Sequence, residues 1–344
     1  MTRIGFAGAG HIAIVHGLAA TAIPGASMVK VASRTPARAD ELARQMRAAA
    51  CDYDQVALGV DVVVVSTPPA RHVADALAAL DAGAAVVVEK PLATTLADAD
   101  RLLSADAAAG HRVGYAENLA FSPVVLRAVS MARSIGALRH ADARMLQGRP
   151  NWGDFLTEGW GGGVLFDLGA HPLALILLLA DAVPGGDDAV TSVRAQLRGE
   201  PDVLVDTWAE VTLDFASGLS ARVEASWQSP SAVVDLQAAS DDGVVRAELR
   251  PQIAVERDGR PLALPPVRDD VDPRLVQFGY LGQLEDFFSD FATGTAPAIG
   301  VPFGHLVLEI TCAAYASAAA GGAPVTLPFD GPRDRTPLEL WRGV

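Results

Sequence analysis

Three polar residues, Lys90, Asp167 and His171, have side chains that could act on a hydroxyl or carbonyl compound. Lys90 stands in the triplet Glu89-Lys90-Pro91, directly after an apolar run, and Asp167 precedes His171 by four residues. A Lys ammonium can polarise a carbonyl and stabilise a developing alkoxide. An imidazole can move a hydroxyl proton near neutral pH, and a carboxylate beside it can orient the ring or the substrate.

Each of the three residues also has a structural interpretation. Lys90 could be a surface lysine paired with Glu89. His171 is followed by Pro172 at a predicted helix start, so it could be a capping residue, and Asp167 could cap the same region. Taken singly, these alternatives are stronger than catalysis; taken together, with three glycines at 161–163 exposing the backbone nearby, the catalytic interpretation is favoured.

A glycine-rich turn near the start of the chain predicts a dinucleotide site. Gly8-Ala9-Gly10-His11-Ile12-Ala13 has the pattern G-x-G-x-x-A between a predicted strand and a predicted helix. Gly8 permits the tight turn, Gly10 lets the backbone approach a pyrophosphate, and Ala13 allows close packing of helix and strand. The helix N-terminal amides, at His11 and Ile12, then face the anion. The alternative is a glycine-rich turn that binds no ligand.

The end of the second predicted strand bears on which nicotinamide cofactor is used. An acidic residue at this position holds the ribose hydroxyls of NAD, but the sequence here is Ala32-Ser33-Arg34-Thr35. Arg34 could stack on adenine and pair with a 2′-phosphate, with help from Ser33 and from Arg38 one helical turn further on. These residues favour NADP over NAD; alternatively, Arg34 is a solvated surface charge.

The elements that must position these residues alternate along the first third of the chain. Such alternation predicts βαβ units and therefore a Rossmann domain with a doubly wound parallel sheet. The predicted strands are Ile4–Ala7, Met28–Ala32, Val60–Val65, Ala85–Val88 and Arg112–Tyr115. The predicted helices are about His11–Ala22, Ala37–Ala49, His72–Ala82 and Leu96–Ala109.

After about Tyr115 the regular alternation ends. Helices are predicted at Pro123–Ser134 and about His171–Ala180, and strands without intervening helices follow them. Residues 205–215 alternate, with Val205, Thr207, Ala209, Val211, Leu213 and Phe215 on one face and Asp206, Trp208, Glu210, Thr212 and Asp214 on the other. Leu219–Trp227 repeats the alternation, and Asp258-Gly259 predicts a two-residue hairpin. The C-terminal part is thus predicted to be an α+β domain with an open, mostly antiparallel sheet. The predicted domains are 1–118 and 119–344.

Composition narrows the class of protein. The net charge of −14 disfavours nucleic-acid and anionic-membrane partners. Cys51 and Cys312 form no disulfide or metal pattern, which favours a reducing cytoplasm and no metal site. The most apolar run, Leu173–Ala180, is far shorter than the ~20 residues that a membrane span needs.

Four motifs, in this order, resemble the Gfo/Idh/MocA oxidoreductase family. They are the glycine-rich turn, Thr67-Pro68-Pro69-Ala70-Arg71-His72, Glu89-Lys90-Pro91 and the stretch from Gly161 to His171. The resemblance covers nearly the whole chain. It implies hydride transfer between NAD(P) and a sugar, cyclitol or related hydroxyl or keto compound, in a homodimer or homotetramer. It implies catalytic roles for Lys90, Asp167 and His171. It also implies cofactor contacts from Thr67, Pro68, His72, Glu89, Lys90 and Asn118.

The chain departs from the usual family pattern at several positions. Many members carry Asn where Pro69 stands and an acid where Ala174 stands, and 115–118 differs from the commoner N-x-R-F. The departure at Pro69, like the missing acid after the second strand, bears on cofactor contacts, whereas those at Ala174 and 115–118 affect the expected substrate pocket more than the reaction type. Trp152 and Trp160 could wall a sugar site or simply pack. Two other functions remain open: a non-catalytic NAD(P)-binding sensor, and an oxidoreductase that keeps its cofactor tightly bound.

Overall fold

The structure is a computed structural model that describes residues 1–151 and 153–344. The described residues divide into two compact units. The first unit contains residues 1–93, 98–121 and 267–305, and the second contains residues 94–97, 122–266 and 306–344. The units are therefore interleaved along the chain, whereas the predicted domains 1–118 and 119–344 are continuous. A domain boundary at residue 118 stays a proposal.

The first unit contains a parallel sheet, as predicted. Within the described residues its strands are β1 (Thr2–Ala7), β2 (Ala26–Ala32), β3 (Ala49–Cys51), β4 (Val62–Val65), β5 (Ala85–Glu89) and β6 (Val113–Ala116), in the order β3-β2-β1-β4-β5-β6. The helices along this part of the chain are α1 (His11–Thr21), α2 (Pro36–Met46), α3 (Pro69–Asp81) and α4 (Leu96–Ala108). All neighbouring strands are parallel. Because the strand order reverses between β1 and β4, ligands are expected at the carboxyl ends of these strands.

The end of α2 differs from the predicted helix Ala37–Ala49. The helix stops at Met46 because Arg47 adopts a left-handed conformation, with φ 55°, and the chain then forms β3 beside β2. Two alanines and a cysteine have little intrinsic preference for a strand, so tertiary pairing decides their structure.

The second unit contains the predicted mostly antiparallel sheet. Its described strands are β7 (Leu138–Gly148), β8 (Val190–Gly199), β9 (Asp206–Phe215), β10 (Ser220–Ser226), β11 (Gln228–Ser240), β12 (Gly243–Arg250), β13 (Ala254–Arg257), β14 (Arg260–Pro261) and β15 (Val325–Thr326). They are ordered β14-β13-β12-β11-β7-β10-β9-β8-β15, and the pair β7–β10 is parallel. Asp258 and Gly259, with φ of 51° and 73°, form the predicted hairpin turn between β13 and β14.

Helices complete both units. They are α5 (Pro123–Ala132), α6 (Val164–Asp167), α7 (Ala170–Leu179), α8 (Pro273–Gln277), α9 (Tyr280–Thr293), α10 (Val301–Ala319) and α11 (Pro337–Arg342). In the second unit, α5 and α7 pack on the sheet. The inward face of β9 is buried as the alternation predicts. The prediction for Asp206 is wrong, because this residue of the polar set is fully buried.

Within residues 1–151 and 153–344, no single helix is long and apolar enough to cross a membrane. One pair of segments, Glu158–Asp167 and Ala170–Leu179, meets the length and composition criteria together but is bent by 40° between them.

Candidate active site

The turn after β1 has the geometry of a phosphate cradle. Gly8 has φ 116°, and a Cβ built there would lie 2.6 Å from the Ser66 carbonyl oxygen, so a side chain is excluded. Among the described residues, nothing lies within 4 Å of a Cβ built on Gly10, which is the N-cap of α1. Ala13 is fully buried, while His11 is exposed and Ile12 is half-buried. An anion can therefore approach the backbone at the start of α1.

The predicted 2′-phosphate residues lie after β2 on the accessible surface. Arg34 and Arg38 are exposed, and Ser33 is half-buried, with its hydroxyl accepting a hydrogen bond from the Thr35 amide at 3.2 Å. Arg38 lies in the first turn of α2, whose first residue is Pro36. The structure thus leaves both guanidinium groups accessible to an anionic ligand.

Sequence reasoning missed a polar cluster next to these residues. The Arg71 guanidinium lies 4.9 Å from the centroid of the Tyr53 ring and pairs with the Asp75 carboxylate at 2.5 Å. Thr67 donates to the same carboxylate at 2.8 Å. Burial and Asp75 raise the pKa of Tyr53, while Arg71 and a hydrogen bond with the Arg34 main chain oppose this shift. The i, i+4 spacing of Arg71 and Asp75 on α3 was the available signal.

The Glu89-Lys90-Pro91 turn follows β5 and is tied to α1 through a buried histidine. One carboxylate oxygen of Glu89 lies 2.7 Å from His16 Nε2, and the other accepts a hydrogen bond from the Lys90 amide at 3.1 Å. His16 is fully buried and Glu89 is 7% exposed. Burial raises the pKa of Glu89, but the hydrogen bond to His16 and the nearby positive charges outweigh burial, so the pKa is lowered overall. His16 was not among the predicted site residues, although a histidine on an apolar helix was a signal.

His72 is buried between two loops. Its Nδ1 lies 2.8 Å from the Pro91 carbonyl oxygen, and its Nε2 lies 2.7 Å from the Thr67 carbonyl oxygen. The residue is 1% exposed, and burial lowers the pKa of His72. The two carbonyls and the carboxylates of Glu89 and Asp75 favour the protonated ring and oppose this shift. The structure therefore places the ring of His72 against the main chain.

The remaining predicted cofactor residues lie at the same sheet edge. Thr67 is buried and Pro68 is half-buried directly before α3. Asn118, which follows β6, is 6% exposed and donates from Nδ2 to the Phe278 carbonyl at 2.7 Å. The residues after β1, β2, β4, β5 and β6 are brought together, because the carboxyl ends of parallel strands share one edge.

Asp167 and His171 lie together in the second unit. Asp167 is the last residue of α6 and His171 is the second residue of α7, and the two are 6% and 7% exposed. Trp160, in the loop before them, packs on Phe155 with ring centroids 4.6 Å apart. Trp152 lies outside the described residues.

A buried carboxylate, which sequence reasoning placed on the outer face of the sheet, holds the glycine stretch before α6. Asp206 accepts hydrogen bonds from the Gly163 amide at 3.0 Å, the Leu165 amide at 2.9 Å and the Tyr315 hydroxyl at 2.5 Å. A Cβ on Gly163 would collide with the Asp206 main chain. Burial raises the pKa of Asp206, and the three hydrogen bonds only partly offset this shift. Asp206 thus fixes the start of the segment that carries Asp167 and His171.

Two family models match the chain. One, described as "Oxidoreductase family, NAD-binding Rossmann fold", matches residues 2–117, and the "GFO/IDH/MocA C-terminal domain" matches residues 125–246. Inositol 2-dehydrogenase from Acidothermus cellulolyticus is 32% identical over 64% of this chain and 69% of its own length. D-xylose 1-dehydrogenase (NADP(+)) 2 from Haloferax volcanii is 26% identical over 85% of this chain and 90% of its own length.

Solved structures show the same fold. GenD2 from gentamicin A biosynthesis, in complex with NAD, superposes with a TM-score of 0.84 at 24% identity, covering 95% of this chain and 96% of its own. Levoglucosan dehydrogenase, in complex with NADH and L-sorbose, has a TM-score of 0.82 at 22% identity, covering 95% and 99%. With the sheet order, the glycine turn and both domain matches in agreement, the chain belongs to the Gfo/Idh/MocA family and is an NAD(P)-dependent oxidoreductase.

Proposed function

We propose that the protein interconverts a secondary hydroxyl and a keto group on a sugar, cyclitol or related compound, with Lys90, Asp167 and His171 as its catalytic residues. The observation that carries the proposal is the shared sheet edge, where the Gly8–Gly10 turn follows β1 and Lys90 follows β5, two strands of one parallel sheet that are separated by β4. The substrate class is supported by the inositol and xylose dehydrogenases among the relatives.

The residues present fit a dinucleotide. Gly8 and Gly10 let the main chain approach the pyrophosphate, and the N-terminus of α1 contributes a favourable dipole. When bound, the nicotinamide accepts or donates the hydride. The Lys90 ammonium stabilises the developing alkoxide, because it follows a buried strand at the edge where ligands bind.

Proton movement is assigned to the second unit. His171 takes the substrate hydroxyl proton at a ring nitrogen in one direction and returns it in the other. Asp167, one helical turn earlier, orients the imidazole or the substrate. Assays of sugars, inositols and keto-sugars, D-xylose and myo-inositol among them, with NADP and with NAD test the reaction; no turnover of any of them with either cofactor would count against it.

We expect NADP(H) to be preferred over NAD(H), because Ser33 and Arg34 occupy the place of an acid and Arg34 is exposed. Arg34→Asp should weaken NADP binding by about 10–10²-fold, the equivalent of one charge-assisted contact, and shift preference toward NAD. Dissociation constants from fluorescence titration with NADPH and NADH measure this.

The matched control is Arg44→Asp, which makes the same charge change near the other end of α2. It should leave both affinities as in the wild type. A wild-type protein that binds and uses NAD at least as well as NADP contradicts the role given to Arg34.

We also propose a homodimer or homotetramer that uses the outer face of the nine-stranded sheet. This face is polar: Arg144 pairs with Asp235, and Arg222 pairs with Glu210, both at 2.5 Å. Trp208 lies under the Arg198 guanidinium at 4.5 Å. A concavity of about 440 Å³ opens beside these pairs. Such a face can bury paired charges against a second copy.

Sedimentation at micromolar concentration should therefore give two or four chains. Arg222→Glu, which places a like charge beside Glu210, should shift the distribution toward monomer, whereas Arg133→Glu on the helical side should not. A wild-type monomer contradicts the proposal.

The proposed location is the cytoplasm, supported by two free cysteines, Cys51 and Cys312. The net charge of −14 disfavours nucleic-acid and membrane partners.

A further inference from the structure

His72 connects the loops that follow two neighbouring strands. It is the fourth residue of α3, and its ring lies between the Thr67 carbonyl, after β4, and the Pro91 carbonyl, after β5. The two contacts, of 2.7 and 2.8 Å, have ordinary hydrogen-bond lengths. With 1% of the residue exposed and both ring nitrogens facing main-chain oxygens, the side chain is built into the loops themselves.

Both main-chain atoms that contact the ring of His72 are hydrogen-bond acceptors. A carbonyl oxygen can only accept, so a ring nitrogen bonded to it must carry the proton. A protonated ring satisfies both carbonyls, whereas a neutral ring satisfies one of them at a time. Glu89 on β5 and Asp75 on α3 are the nearby carboxylates that favour the protonated ring, and burial opposes it. In either state a donor from His72 fixes one loop and the ring fills the space beside the other.

A second buried histidine is linked to the same turn through Glu89. His16 on α1 contacts the Glu89 carboxylate, whose second oxygen accepts the Lys90 amide. The main chain of this turn is therefore bonded at two points. The Lys90 amide donates to Glu89, and the Pro91 carbonyl is bonded to His72. The anchors belong to α1 and α3, which follow the glycine turn and the Thr67–Pro68 loop.

We propose that His72, together with His16, is a positioning residue that holds the Lys90 turn in register with the dinucleotide turn, and that His72 does so through the main chain rather than by contact with the cofactor. The inference rests on the proposed role of Lys90 for its catalytic consequence. Its structural part, a fixed 89–91 turn, can be tested without any substrate.

The test compares His72→Ala and His72→Gln with the wild type. Hydrogen–deuterium exchange should rise in His72→Ala at the amides of Ser66 and Thr67 and at the non-proline amides of 88–92. NADPH affinity by fluorescence titration should stay close to the wild-type value. With the best substrate from the sugar and cyclitol panel, kcat should fall by up to about 10²-fold, as expected when a catalytic group is displaced by about 1 Å, and KM should change much less. His72→Gln should recover part of the loss, because its side-chain amide can donate to one of the two carbonyls, as a neutral histidine ring does.

His111→Gln is the matched control, since His111 pairs with Asp106 just before β6, at the opposite end of the sheet. It should not change exchange at 88–92. His16→Phe, which keeps a ring beside Tyr280, should reproduce the exchange increase at 88–92. Should His72→Ala not fold, His72→Gln carries the same measurements.

Two results would overturn the proposal. One is unchanged exchange at 88–92 in the His72 variants; the other is a loss of NADPH affinity as large as the loss of kcat, which would make His72 a cofactor contact. Failure of the proposed function looks different: exchange at 88–92 would still rise, but Lys90→Ala would leave turnover of the panel unchanged.

Discussion

Replacing His171 with Ala is expected to lower kcat by about 10²–10⁴-fold, the range contributed by a positioned general acid or base. The dissociation constant for NADPH changes little, because His171 belongs to the second unit and the predicted cofactor residues belong to the first. Lys90→Ala should be at least as severe, since it removes the cation that is proposed to stabilise the alkoxide. Turnover with the best substrate of the panel, beside fluorescence titration of NADPH, measures both effects.

Two substitutions of Asp167 distinguish two explanations of its role. Asp167→Asn should lower turnover less than Asp167→Ala if the residue acts by geometry, and the two should lower turnover equally if its charge is required. His140→Ala, an exposed histidine on β7, is the control for loss of an imidazole in the same unit. Near-normal turnover in both His171→Ala and Lys90→Ala, with folding and NADPH binding intact, would refute the assignment and favour a nucleotide-binding sensor.

Replacing Asp206 with Ala lowers the free energy of unfolding by about 3–5 kcal/mol, because it leaves three buried donors without their acceptor. These donors are the amides of Gly163 and Leu165 and the hydroxyl of Tyr315. Turnover should also fall, since the segment that carries the proposed catalytic residues Asp167 and His171 begins at these amides. Urea unfolding followed by tryptophan fluorescence gives the free energy, and the panel assay gives turnover.

Two further variants make the Asp206 test specific. Asp206→Asn keeps an acceptor oxygen and should lose less stability than Asp206→Ala. Asp214→Ala, on the same strand, removes a half-exposed partner of Arg194 and should cost less than about 1 kcal/mol. An Asp206→Ala protein as stable as the Asp214→Ala protein would contradict the anchoring role.

The sequence was most informative where local pattern and tertiary demand agree. Val62–Val65 is fully buried because a central parallel strand is covered on both faces, which its composition alone predicts. The glycine turn is equally predictable, since Gly8 adopts a φ that other residues rarely take. The hairpin at Asp258-Gly259 follows the same logic.

The sequence was least informative where the partner of a side chain lies far along the chain. Alternation placed Asp206 outward, yet its hydrogen-bond donors come from residues 163, 165 and 315. His16 and Glu89 are 73 residues apart, and His72 and Pro91 are 19 residues apart. Pattern analysis identifies residue types and faces, but a buried polar contact depends on which loops the fold brings together.

Because the two units are interleaved along the chain, the first unit cannot finish folding before part of the second has been synthesised. The first unit takes α9 from far along the chain, where Tyr280 meets His16 edge-on with ring centroids 5.9 Å apart and Phe287 meets Phe121 at 5.3 Å. A nascent chain that has emerged only to residue 121 therefore exposes the apolar surfaces that α9 will cover. The packing of the first unit cannot be completed until residues 122–266 of the second unit have been synthesised, so this fold depends on contacts that form late and over a long sequence separation.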